Sequence, residues 1–230
     1  VLGVHQDGGM GNLLSIPPGN LIAADGLTLD QCAAVEFLAI GAHAVRRGGV
    51  MAGDRVLVVG GGPIGLGVAI FAKRAGGTVA VLDREAERAQ SAGAIVGVQA
   101  FTGDEAGLTN MAAFAANEGY DVVFDATGSP PAMEKGFDHV AHGGRYVLVS
   151  VVKEPITFMD PDFHRKEMTL LGSRNATAQD FETVVAAIND GTAPVYRLIT
   201  HRTDLAGAVT DLPRWATQKT GLIKAVIEIA

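Results

Sequence analysis

The sequence predicts an α/β protein built on a doubly wound parallel sheet, and three observations carry that prediction. Apolar runs without alternation occur at 55–60 and 78–83, a helix-length segment separates them, and the strand–helix order then repeats to about residue 175. Continuous apolar runs suit parallel strands covered on both faces, and strand–helix alternation is the pattern of crossover connections.

The elements follow in order. Residues 1–25 are rich in Gly, Pro and Asn with short apolar pairs (Leu13-Leu14, Leu21-Ile22), which predicts short strands and turns and no helix. Val1 to His5 reads as the middle of a strand, so the chain is expected to be a fragment or a processed product. From Thr28 to Arg47 the period becomes helical, through Ala33, Glu36, Phe37, Ile40 and Ala44, with Asp30 as a possible cap and Gly48-Gly49 as the stop.

Arg55-Val-Leu-Val-Val-Gly60 is the first buried strand, Pro63 to Arg74 a helix stopped by Gly76-Gly77, and Thr78 to Asp83 the second strand. Further helices are expected at about Glu85 to Ala92, Gly107 to Asn117, and Asp180 to Asn189, the last capped by Thr177 or Asp180. Further strands are expected at Asp121 to Asp125, Arg145 to Val152, Met168 to Gly172, and Lys224 to Ile229.

With 230 residues, 48% of them hydrophobic and 19% charged, the chain can bury a sizeable core and is too apolar for disorder. A net charge of -7 argues against nucleic acid, whose binding needs a basic face. No apolar run reaches the length that spans a membrane. Cys32 is the only cysteine, which excludes an intrachain disulfide and a thiolate cage within this chain and makes a reducing cytoplasm the default expectation.

The chemistry is concentrated in Gly60-Gly61-Gly62-Pro63-Ile64-Gly65, a G-x-G-x-x-G pattern placed directly after a buried strand and opening a helix. In that setting Gly60 makes the tight turn, Gly62 lets a pyrophosphate approach the backbone, and Gly65 lets helix and strand pack closely. Pro63 and Ile64 then start a helix whose free amides suit an anion. A glycine-rich turn without ligand is the plainer alternative.

Asp83 ends the second strand 23 positions after Gly60, where an acidic side chain meets the adenosine ribose. A carboxylate there favours NAD over NADP; otherwise it caps the next helix. Arg84 can hold a 2′-phosphate in other proteins, and beside Asp83 it reads as packing near the adenine or as exposed. Ala126, Thr127 and Gly128, at the carboxyl end of a strand, either line the cleft or form an ordinary exit turn.

Taken with Asp7-Gly-Gly-Met10, the stretch from Val35-Glu-Phe to Arg47-Gly48, and Leu171-Gly-Ser-Arg-Asn-Ala-Thr177, these motifs resemble the zinc-type medium-chain alcohol dehydrogenases. The likeness is to their polyol and sugar-acid branch, the sorbitol-, threonine-, gulonate- and galactonate-type enzymes. It implies a Rossmann domain at 30–175, a remnant of a GroES-like β-rich catalytic domain at 1–29, and a return to that domain at 176–230.

The resemblance also implies NAD as cofactor and a zinc held by a Cys, a His and an acidic or Cys ligand. Glu36 matches the last position, while the Cys and His positions would precede Val1. Apart from a ligand role, Glu36 reads as a helix carboxylate pairing with Arg46 or Arg47, and His43 as a packed or capping residue. Asn12-Leu13-Leu14 departs from the family pattern.

By the same resemblance Arg174 reaches the pyrophosphate, and Ser150, Val151 and Asn175 lie near the nicotinamide. The Met168 to Gly172 strand becomes a sheet edge covered in a homodimer or homotetramer. The implied reaction interconverts a secondary alcohol, polyol or sugar acid and its ketone. The alternatives are a non-catalytic NAD(H)-binding module and a zinc-free quinone-reductase-type enzyme.

Overall fold

The computed structural model describes residues 3, 5–218 and 220–229. Six parallel strands form the main sheet: β1 (Arg55–Val59), β2 (Thr78–Asp83), β3 (Gln99–Thr102), β4 (Tyr120–Asp125), β5 (Val140–Leu148) and β6 (Thr169–Gly172). Their spatial order is β3-β2-β1-β4-β5-β6. The chain therefore winds outward from β1 in one direction and from β4 in the other, and past the carboxyl ends of β1 and β4 it turns to opposite faces of the sheet, the place where such sheets form a crevice.

Helices cover both faces. On one face α1 (Leu29–Gly48), α2 (Pro63–Arg74), α3 (Ala86–Val96) and α7 (Ala178–Asn189) pack over Val56, Val58, Val122 and Phe124. On the other, α4 (Glu105–Phe114), α5 (Pro130–Gly136) and α6 (Asp160–Arg165), with Phe137, cover Leu57, Val59, Val123 and Tyr146. A separate parallel pair, β7 (Ile199–Asp204) and β8 (Lys224–Glu228), is joined by α8 (Leu205–Thr217).

Thr28 rather than Asp30 caps α1: its hydroxyl accepts from Gln31 N, and Gln31 Oε1 accepts from Thr28 N. A threonine with a glutamine three residues on satisfies two first-turn donors reciprocally. Asp30 instead pairs with Arg202 of β7 and so ties the small sheet to α1. The helix ends at Gly49 in the left-handed conformation, as the Gly48-Gly49 stop predicts.

Backbone contact between α1 and α2 is allowed by a missing side chain. A Cβ on Gly41 would overlap the Gly67 carbonyl carbon and lie 2.6 Å from Val68 N. Gly41→Ala is expected to cost about 2 kcal/mol by forcing the two helices apart, read as a lowered urea midpoint at unchanged slope.

Several expected boundaries move. α3 runs past Ala92 to Val96, because Gly93 lies against β3: a Cβ there would fall 2.8 Å from the Ala100 Cβ. α4 starts at Glu105, earlier than expected, because Asp104 caps it by accepting from Gly107 N. It stops at Phe114, before Ala116 and Asn117 take positive φ. β5 begins at Val140 and ends at Leu148 instead of Val152, because the Val149 and Ser150 amides turn to the Asp125 carbonyl.

For α7 both expected caps take part, Thr177 as N-cap and Asp180 as its reciprocal partner. Among the described residues of 1–25 there is a 3-10 turn, Pro18–Asn20, and no strand. Val1, Leu2 and Val4, where a strand was expected, lie outside the described residues.

Candidate cofactor site

The glycine turn sits at the crevice between β1 and β4. Gly60 has φ +103°, and a Cβ on it would lie 2.9 Å from the Ala126 carbonyl oxygen, so the exits of the two strands touch there. At Gly65 any Cβ would overlap the Gly60 carbonyl oxygen, which holds the start of α2 tight against β1. Gly62 differs: nothing lies within 4 Å of where its Cβ would be. It is the N-cap of α2, with Pro63 at the first position and no side chain capping the helix, so first-turn amides open onto that space. Ile64 turns inward onto the core.

Asp83 is 7% exposed and organises the rim of the turn. Its Oδ2 accepts from Gly61 N at 2.8 Å and its Oδ1 from Glu85 N at 2.9 Å. The carboxylate thus fixes the glycine turn and also caps the entry to α3, the second of the two roles the sequence left open. Each oxygen retains a further lone pair.

Arg84 is exposed and pairs with Glu85. Arg88, which the sequence reading passed over, brings Nη1 to 3.9 Å from Asp83 Oδ2. Its position in the first turn of α3, following a strand-end acid, is the signal that could have found it.

Opposite this rim, Thr127 N and Oγ1 both donate to Asp125 Oδ1 at 3.0 Å, and Gly128 has φ +62°. Asp125 is fully buried and was also missed. Burial pushes its carboxyl up to about 6, against the pull of the Thr127 and Gly128 amides and the Thr127 hydroxyl.

Ser150 is half-buried just past β5, with its amide on the Asp125 carbonyl, and Val151 is 90% exposed. Arg174 is exposed beyond the end of β6 and Asn175 has φ +56°. The structure therefore gathers 60–65, 83, 126–128 and 150 at the carboxyl ends of the strands, with 151, 174 and 175 on the exits of β5 and β6.

Glu36 is exposed on α1, one residue before Phe37, whose carbonyl lies 3.6 Å from where a Gly67 Cβ would be. Of the two arginines suggested as its partner, Arg46 is engaged elsewhere, since it pairs with Asp180.

An open six-stranded parallel sheet in this order, with a glycine turn and a strand-end acid at its switch point, defines a dinucleotide-binding type of α/β domain. The family model described as zinc-binding dehydrogenase matches residues 63–190, more than half of the chain, and the chain belongs to that family.

Among curated proteins it is 38% identical to L-galactonate-5-dehydrogenase of Escherichia coli K12, over 99% of this chain and 67% of that protein. It is 31% identical to sorbitol dehydrogenase of Halalkalibacterium halodurans, over 87% of this chain and 60% of that protein. An alcohol dehydrogenase of E. coli CFT073, solved as its complex with NADH, superposes with TM-score 0.90 at 25% identity, covering all of this chain and 68% of that one. The chain thus spans about two thirds or less of these relatives.

The family description raises a zinc ion, which normally takes three or four protein ligands. Among the described residues no three His, Cys, Asp or Glu side chains converge to hold a metal. Glu36 alone does not make that site, so the described residues do not fit a complete zinc centre.

Proposed function

We propose that this chain carries the NAD(H)-binding half of an alcohol or polyol dehydrogenase that interconverts a secondary alcohol and a ketone. The observation that carries the reading is the contrast within the glycine turn: Gly60 and Gly65 are walled in by backbone, while Gly62 faces open space at the switch point of the sheet.

On this reading the pyrophosphate lies over Gly62, Pro63 and Ile64 at the start of α2, and Asp83 accepts from the adenosine ribose. Arg84 stands exposed beside the adenine. Ala126, Thr127, Gly128, Ser150, Val151 and Asn175 flank the nicotinamide, and Arg174 reaches the pyrophosphate. NAD supplies the hydride acceptor when bound, and the protein supplies orientation and exclusion of water.

The same reading divides the chain into a cofactor domain at 30–175 and GroES-like portions at 1–29 and 176–230. Glu36 is the one position here proposed to contribute a zinc ligand. A polyol or sugar-acid substrate is supported by the relatives. The half-exposed Leu170 on edge strand β6 supports a homodimer or a pair of dimers. Among the described residues no helix is long and apolar enough to cross a membrane, and a cytoplasmic location is proposed.

A second reading, an NAD(H)-binding module without catalysis by this chain alone, is favoured by the lack of converging ligands among the described residues. Bound zinc together with alcohol-dependent NADH production would decide for the enzyme.

The test is a parallel titration of the 230-residue chain with NADH and NADPH, followed by calorimetry. Saturable binding that favours NADH is expected; no binding to either would refute the cofactor reading. Asp83→Ala should weaken NADH more than about tenfold, roughly 1.4 kcal/mol, and narrow the preference over NADPH. Unchanged affinity would remove Asp83 from the ribose.

A further inference from the structure

Between the two walls of the crevice lies a charge that the hydride-transfer reading does not use. Asp125 is 0% exposed at the end of a strand with Val59 on one side and Leu148 on the other. Its backbone carbonyl accepts from Val149 N at 2.9 Å and Ser150 N at 3.2 Å, which draws the exit of β5 toward that of β4. Its side chain accepts from Thr127 N and Thr127 Oγ1. Thr127 Oγ1 in turn accepts from Ser129 N at 3.1 Å.

An ionised carboxylate has only acceptors, so the single Thr127 hydroxyl proton points to Asp125 and its lone pairs are left for Ser129. The result is a one-directional chain, Ser129 to Thr127 to Asp125, that sets the 126–129 turn beside Gly60. Asparagine keeps one oxygen for the Thr127 amide and hydroxyl, but its amide nitrogen cannot accept from the Thr127 hydroxyl as Oδ2 does.

We propose that Asp125 is a positioning residue for the nicotinamide end of the cofactor, its buried carboxylate fixing the 126–129 turn and joining it to the 149–150 exit. The proposal rests on the cofactor reading above. Asp125 touches neither ribose nor pyrophosphate on that reading, so its effect is confined to one end of the dinucleotide.

The surroundings do little to hold the charge. Val59 of β1 has no titratable group. From β5 the Tyr146 hydroxyl donates to the Met133 carbonyl, and burial followed by the charge of Asp125 raises it well above the ordinary phenol range. On α5, Glu134 accepts from Thr157, and Lys135 is exposed. No ion pair among the described residues reaches Asp125. With burial pushing its carboxyl up to about 6, protonation falls in an accessible range. A proton on Oδ2 replaces one acceptor of the Thr127 hydroxyl with a donor and leaves Oδ1 alone to hold the turn, so the hold on 126–129 weakens below that pH.

Calorimetric titration of the 230-residue chain with NAD+ and with ADP-ribose, which lacks the nicotinamide, at pH about 5 and about 7.5 tests the proposal. In the wild-type chain NAD+ should bind roughly tenfold more weakly at the lower pH, while ADP-ribose changes less than about twofold. Asp125→Asn should flatten the NAD+ profile and leave ADP-ribose unchanged.

A wild-type NAD+ profile that is flat, or that matches that of ADP-ribose, overturns the proposal without need of the variant. Equal loss of both ligands in Asp125→Asn makes the residue merely structural and also overturns it. Binding of neither ligand by the wild-type chain is a different failure, that of the cofactor reading, and this proposal falls with it.

Discussion

Gly65→Ala is expected to lower stability by more than about 3 kcal/mol and with it all dinucleotide binding, whereas Gly62→Ala removes binding alone. At Gly65 the added methyl would overlap the Gly60 carbonyl oxygen, backbone against backbone. Relief requires α2 to move off β1, which disturbs the Leu66, Val68 and Ala69 packing of the main core.

At Gly62 the backbone is at φ −75° and ψ −177°, an extended conformation open to alanine, and the methyl meets nothing within 4 Å. Stability should be unchanged or raised by up to about 1 kcal/mol through the unfolded chain. NADH affinity should nevertheless fall at least about tenfold, because the methyl occupies the space assigned to the pyrophosphate. Urea melts and NADH titrations of both variants separate the two glycines. Wild-type affinity in Gly62→Ala would move the pyrophosphate away from this turn.

That contrast also shows what the sequence could convey. β1, α2 and β2 were legible almost to the residue because burial on both faces leaves an uninterrupted apolar run, and Pro63 and Gly76 mark the ends of the helix. β3 was not legible: Gln99-Ala-Phe-Thr is a short edge strand with one exposed and three half-buried residues, so neither a buried run nor clean alternation forms. α8 was hidden by Pro213, which normally breaks a helix but here lies inside one. β7 carries its inward positions on Ile199, His201 and Thr203, a mixed-polarity pattern that hydropathy alone passes over.

Within the site, residues marked by a special backbone demand were readable, since a G-x-G-x-x-G turn needs glycine at defined places. Asp125 and Arg88 were not, because their significance depends on what the fold brings beside them. The acid of β4 becomes notable only when Thr127 folds back onto it and the exit of β5 closes over its carbonyl. Arg88 carries only a weak signal, its place soon after a strand-end acid, until α3 sets it next to the carboxylate that holds Gly61.

Asp180→Ala should destabilise the chain by about 3 kcal/mol at neutral pH, through a network that joins α1 to α7. Asp180 is 1% exposed, and its carboxylate takes Arg46 Nε at 2.8 Å, lies 2.8 Å from His43 Nδ1, and accepts from Thr177 N and Oγ1 at 2.8 Å. Alanine removes the capping box of α7 together with the charge-assisted bonds. Arg46 is 43% exposed and can rehydrate, which keeps the loss below that of a wholly buried pair.

Burial alone would raise the Asp180 carboxyl, but the bonds from Arg46, Thr177 and His43 outweigh it and hold the group well below the usual carboxylate range. A lowered native value means that the stabilisation is present above the ordinary aspartate range near pH 4 and is lost as the pH falls through the lower native one. The wild-type advantage over Asp180→Ala should therefore be constant from about pH 6 to 8 and shrink in acid as the carboxyl protonates. Asp180→Asn, which keeps one acceptor for the Thr177 amide, should fall between the two. Urea midpoints from about pH 8 down to about pH 2 measure this, and a gap between wild type and Asp180→Ala that does not narrow in acid would mean that packing, not charge, holds α7 to the helix bearing Glu36.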